Sequence, residues 1–229
     1  MPGRADLWLR PRRNVFFVKQ QNENGAQADR PMNIDYRSLI LIAGEKLRLV
    51  PFDVSFAESL FEAIEESKPE LEEWSAWYRR SYTFDDCRNW LESREQARFE
   101  KRAFDFAITD AATGDFVGSC GLHHIRSRRG ELSFWIRTSR QNEDGSLAVR
   151  ALADFGLSRL GLVRIEIVIA ERNFADQSVV EKIGATREAR LRNRLIIQDE
   201  IHHAYLFALF GSGERPEEKQ DPRWVKITL

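Results

Sequence analysis

The sequence predicts one α/β domain in which helices flank a mixed central β-sheet. Three observations predict it. Segments with helical apolar spacing alternate with segments of period two, and "RIEIVIA" (164–170) is almost continuously apolar, as in a strand covered on both faces. The chain's 229 residues, 42% of them hydrophobic, are enough to enclose one sizeable core.

Residues 1–31 set Arg10, Arg12 and Arg13 beside the polar tract "KQQNENGAQADRP", which has neither period, and read as a flexible extension. The "FFV" at 16–18 is too short to count as a strand, Met32 is a candidate for the true start of the protein, and the domain is taken as 32–211. "KLRLVPF" (46–52) alternates as a strand does. "VSFAESLFEAIEES" (54–67) is helical, with Phe56, Leu60, Phe61 and Ile64 on one side. "TFDDCRNWLESREQARF" (83–99) opens with a Thr cap and an acidic first turn, so a second helix follows. "AFDFAITD" and "FVGSCGLHHI" flank the turn "AATGD", and "GELSFWIR" follows another polar turn, which together make an antiparallel meander. A helix from about 146 to 159 aligns Leu147, Ala148, Ala151, Leu152 and Phe155. After "RIEIVIA", "FADQSVVEKIG" is a helix that aligns Ala175, Val179 and Ile183 and stops at Gly184; "HHAYLFALF" is the last strand, and 212–229 a polar tail.

Charge and cysteine usage narrow the function. The 35 basic and 36 acidic residues leave a formal charge of -1, so no long-range attraction to nucleic acid or anionic membrane is expected; "RSRRG" (126–130) is explained as a hairpin turn. Cys87 and Cys120 are too few and too far apart for a disulfide framework or a metal site. With no apolar run near the roughly 20 residues of a membrane span, and no apolar secretory core at the N-terminus, a cytoplasmic protein, monomer or homodimer, is expected.

One stretch points to a ligand. "SRQNEDGSLAVRAL" (139–152) is a glycine-bearing loop running into a helix, a form that suits either an anion cradle or an ordinary helix cap. Asn173, between a strand and a helix, is placed to cap.

The order of elements and several of its segments resemble the GNAT acetyltransferases, in particular the branch of RimJ- and RimL-type ribosomal-protein N-terminal acetyltransferases. The resemblance runs from about Lys46 to Phe210 and is most specific in "RLGLVRIEIVIAERNFADQSVVEKIGATREA". "PELEEWSAW", "FVGSCGLHHI" and "GELSFWIR" support it. It implies a GNAT-like fold, acetyl-CoA as acyl donor, no metal, and a primary amine as acceptor, such as a peptide or protein N-terminus. It also implies that Arg140, Gln141, Asn142, Glu143, Asp144, Gly145 and Ser146 hold the donor's pyrophosphate through main-chain N–H groups and the helix dipole. The family pattern carries a glycine where this chain has Glu143. A carboxylate about 5–6 Å from the phosphates costs about 1–3 kcal/mol.

By the same resemblance Asn173 engages the pantetheine arm. Asp176 stands where the branch has a serine able to protonate the departing thiolate, and Val180 where others have a tyrosine. The reaction needs one base to remove the ammonium proton. Glu131, matching an acid in the branch, is the candidate, with His123 and His124 as alternatives that period two puts on opposite faces. Trp74 and Trp77, i and i+3 on a helical turn, wall the acceptor site or belong to the core; Glu70, Glu72 and Glu73 attract a cation or form a solvated face. The competing reading is a CoA-binding or sensor module that keeps the fold but has weak or no activity.

Overall fold

The computed structural model describes residues 39–141 and 145–211. The extensions expected at 1–31 and 212–229 lie outside these residues, as do Asn142, Glu143 and Asp144.

Thirteen regular elements are found among the described residues. Strands β1 (Leu41–Ala43) and β2 (Leu47–Pro51) precede helices α1 (Ala57–Glu66), α2 (Lys68–Trp74) and α3 (Phe84–Phe99). The meander β3 (Phe104–Asp110), β4 (Phe116–Arg126) and β5 (Arg129–Ile136) follows, then α4 (Gly145–Ser158), β6 (Arg164–Ala170), α5 (Phe174–Lys182), β7 (Thr186–Ile197) and β8 (Glu200–Phe210). The eight strands form one sheet in the order β1-β2-β3-β4-β5-β6-β8-β7. Every neighbouring pair is antiparallel except β5 and β6.

Local chemistry explains the boundaries. The Thr83 side chain accepts the Asp86 N–H while the Asp86 carboxylate accepts the Thr83 N–H at 2.9 Å, which satisfies two end groups of α3. Pro69 falls in the first turn after Ser67, so α2 restarts where α1 stops. Gly184, at φ +83, ends α5 as expected.

Two apolar layers sandwich the sheet. Phe104, Phe106, Ile108, Leu122 and Ile165 pack with Leu152 and Phe155 of α4 on one face; Phe52, Leu60, Ile64, Leu91 and Phe116 pack beneath α1–α3 on the other. A Cβ at Gly156 would come within 2.8 Å of Leu122 and 2.9 Å of Ile165, so glycine there lets α4 lie close to the sheet.

Three expectations change. β1 and β7 were not predicted: β1 has three residues, and β7 is an edge strand whose arginines face solvent. Trp74 and Trp77 do not share a helical turn, because α2 ends at Trp74 and Ser75 is extended (φ −108°, ψ 106°). Trp77 is also no core residue, being 48% exposed. His123 and His124 both reach groups carried by one face of β5. A bulge begins after His123, and His124 adopts φ +49, which breaks the alternation that would have separated them.

Candidate active site

The parallel pair β5–β6 holds for only three rows, Arg129 with Arg164 through Glu131 with Glu166. Beyond Glu131, β5 stays paired to β4 as far as Ile136, and β6 stays paired to β8 as far as Ala170. A wedge therefore opens between them. The Arg137 N–H donates to the Val117 carbonyl (3.0 Å), so alternation along β5 turns the main-chain groups of Phe134 and Ile136 away from β4 and into the wedge. β5 leads toward α4 and β6 into α5, so both helix starts stand at the carboxyl ends of the diverging strands, a common ligand position in α/β sheets. A Cβ on Gly145 would sit 3.2 Å from Ile136, so glycine lets the start of α4 approach the end of β5. Gly145 and Ser146 are buried.

Asn173 caps α5. Its Oδ1 accepts the Asp176 N–H (3.1 Å), and its Nδ2 donates to the Asp176 carboxylate (2.8 Å). Burial pushes the Asp176 carboxyl up to about 6.

The loop entering α4 is braced by acids of α1 and α2. Glu66 binds the Arg137 guanidinium and accepts the Ser139 N–H (2.6 Å); Arg137, then desolvation working against it, leaves its carboxyl lowered to about 2. The Thr138 N–H donates to Ser67 Oγ (3.1 Å), while Glu70 accepts from Thr138 Oγ1 (2.9 Å) and Gln141 Nε2 (3.4 Å). Arg140 reaches the other way, to Asp110 at 2.8 Å. The N–H groups of Arg140 and Gln141 donate to the carbonyls of Arg137 and Thr138. From Thr138 to Gln141, then, the amides already serve the fold. Arg140 and Gln141 are thus placed as braces, and Gly145 and Ser146, the other described positions of the expected cradle, are buried at the start of α4. Glu70 is part of this brace, and Glu72 pairs with Arg80, so neither is a plain solvated acid.

On the face of β5 toward α1–α3 stand Glu131, Ser133 and Trp135, opposite in phase to the core residues Leu132, Phe134 and Ile136. Glu131 lies directly across from His123 in the pairing and contacts His124 Nδ1 at 3.2 Å. His123 Nε2 lies 3.0 Å from Ser133 Oγ and 3.4 Å from the buried Asp105, whose other oxygen accepts from Arg94 (3.0 Å). Asp105 was not singled out from sequence. Its one signal there is a lone carboxylate inside the apolar run "FDFAITD".

Trp135 leads to an aromatic group. Trp77 lies 6.5 Å from it, 5.8 Å from Tyr82 and 5.9 Å from Tyr78 by ring centroids. Gln198, in the β7–β8 turn, donates to the Tyr78 carbonyl (3.1 Å) and ties that hairpin to the same segment. Trp74 is half-buried at the end of α2, and the aromatic contacts found are those of Trp77. Cys87 and Cys120 are buried, and desolvation raises both thiols, Cys87 to about 11. Among the described residues no cluster of three or more His, Cys, Asp or Glu is placed to hold a metal, and no helix is long and apolar enough to cross a membrane.

A family model described as an acetyltransferase (GNAT) domain matches residues 46–186. An uncharacterized N-acetyltransferase of Bacillus subtilis (strain 168), YoaA, is 30% identical over 96 residues, 41% of this chain; the match spans 54% of that relative's length. RimJ of Mycobacterium smegmatis, in complex with CoA-disulfide, superposes with a TM-score of 0.66 at 17% identity, covering 76% of this chain and 83% of RimJ. The ribosomal-protein-S5-alanine acetyltransferase of Vibrio fischeri gives a TM-score of 0.68 at 17% identity, over 74% of this chain and 96% of that one. At these identities the two structures speak for the fold.

Proposed function

Because the chain belongs to the GNAT acetyltransferase family, we propose that it transfers an acetyl group from acetyl-CoA to a primary amine, with a peptide or protein N-terminal α-amine as acceptor. The observation that carries this reading is the wedge between β5 and β6, which opens after Glu131 with the starts of α4 and α5 at its wide end. Main-chain groups of Phe134 and Ile136 suit the amides of a pantetheine arm, and the positive end of the α4 dipole suits a diphosphate. Asn173 borders the arm from α5. Bound there, acetyl-CoA supplies a thioester carbonyl, and the protein's work is to hold an amine against it and remove a proton.

The acceptor approaches the α1–α3 face, where Glu131 and His123 are cross-strand neighbours and Trp77 and Trp135 form an aromatic wall. An α-amine, with a pKa near 8, is about one-tenth neutral at pH 7, whereas a lysine near 10.4 is neutral in under about a thousandth of molecules. The structural relatives that act on ribosomal proteins support the same acceptor class.

Thiol release from acetyl-CoA tests the reading. Turnover is expected with peptides that begin with Ser or Ala and is weaker with a lysine side chain. Silence across peptides, polyamines, amino acids and aminoglycosides, with coenzyme A still bound by calorimetry, would instead indicate a binding module.

A further inference from the structure

A row of polar side chains crosses three strands beside the wedge. Asp105 of β3, Gly121 of β4 and Ser133 of β5 are in register, and the His123 ring folds back over Gly121 between the carboxylate and the hydroxyl. The row exists only because residue 121 has no side chain. A Cβ there would stand 2.5 Å from Asp105 Oδ1 and 2.6 Å from His123 Nε2. Asp105 is 4% exposed, and Arg94, stacked 4.7 Å over the Trp90 ring, holds its second oxygen. Removing Arg94 would leave the buried Asp105 carboxylate without its cation, so the arrangement is an expensive one to maintain by chance.

We propose that His123 is the proton acceptor of the transfer reaction, fixed in one tautomer by the Arg94–Asp105 pair, with Ser133 completing the row; this assignment rests on the acetyltransferase reading above. A carboxylate 3.4 Å from Nε2 and a hydroxyl 3.0 Å away favour a proton on Nε2. Nδ1, which has no hydrogen-bond partner among the described residues, is then the basic nitrogen. The ring is 29% exposed and its contact Ser133 is one alternation past the last β5–β6 pair, so it borders the place where the wedge opens.

In the reaction the acceptor's N–H bond breaks and its electron pair stays on nitrogen, while the proton goes to Nδ1. The nitrogen forms a bond to the acetyl carbon and the C–S bond breaks, its electron pair leaving with sulfur. Of the two protons the ammonium sheds, one passes through the imidazole to solvent and the other ends on the thiolate. Asp105 and Arg94 are positioning residues. Glu131, facing the same space and already engaged with His124, serves to attract the cationic acceptor.

These roles separate in kinetics. His123→Gln should lower kcat by at least about 100-fold, the usual scale of general-base catalysis, and leave coenzyme A affinity within about twofold. Glu131→Gln should raise KM for a peptide more than it lowers kcat. Asp105→Asn should lower kcat and leave KM for a peptide nearly unchanged, because the imidazole loses the carboxylate that keeps its proton on Nε2. Ring-nitrogen chemical shifts of His123 in the unliganded protein read the same change without turnover, as a proton on Nε2 in the wild type and a mixture of both tautomers in the variant, and the dispersed spectrum shows that the variant is folded.

Full activity in His123→Gln, a loss of kcat in Glu131→Gln as large as in His123→Gln, or an unchanged His123 tautomer in folded Asp105→Asn would each overturn the assignment while the acetyltransferase reading stands. A wild-type protein that acetylates no amine would overturn both.

Discussion

Replacing Asp176 by asparagine should stabilise the protein, and by an amount that depends on pH. Burial beside Asn173 raises the Asp176 carboxyl from 3.8 to about 6. At about 1.4 kcal/mol per pH unit, the cost of holding it ionised in the folded state is at most about 3 kcal/mol. The amides at the start of α5 favour a carboxylate by about 0.3–1 kcal/mol, which brings the expectation near 2 kcal/mol. The folded protein binds this proton more tightly than the unfolded chain does. Wild-type stability from this group is therefore greatest below pH 3.8, falls as pH rises toward about 6, and is fully lost by about pH 7. An asparagine keeps an oxygen to accept from Asn173 Nδ2 and has no such dependence. Urea unfolding followed by circular dichroism should find the two proteins equal within about 0.5 kcal/mol near pH 4 and the variant about 2 kcal/mol more stable at pH 7.5. A difference that is the same at every pH, or a less stable variant at pH 7.5, would refute the desolvation argument and make Asp176 a net stabiliser of α5.

Three further outcomes are expected. Glu143→Gly should tighten coenzyme A by about fivefold or more in calorimetry, since removing about 1–3 kcal/mol of repulsion restores at least that factor, and unchanged affinity would place the carboxylate away from the diphosphate. Gly121→Ala should cost about 1–3 kcal/mol in thermal or urea melts and also abolish the His123 contacts, because a methyl has no room between Asp105 and the ring. Native protein should not react with Ellman's reagent at pH 8 through Cys87 or Cys120, whose thiols are buried and raised, whereas unfolded protein should show two thiols.

The parts of this molecule that were legible in its sequence are those fixed by neighbours along the chain. The capping box of α3 needs Thr83 and Asp86 three residues apart, the stop of α5 needs Gly184, and the meander needs two turns between alternating runs. β7 was missed for a different reason. Its apolar half is supplied by pairing with β8, so its own residues, Arg187, Arg190, Arg192 and Arg194 among them, carry the signature of solvent, which is how edge strands resist pairing with other chains. The candidate site divides in the same way. Asn173 and Gly145 are legible because strand-to-helix junctions are local. The row of Asp105, His123 and Ser133 depends on the registers of two strand pairs and on a glycine in the middle of one of them. Shifting β3 by one residue against β4 would turn Asp105 to the opposite face and leave His123 without its carboxylate. What assembles this row is thus a property of how the strands are aligned, and the residue that permits it, Gly121, contributes no functional group of its own.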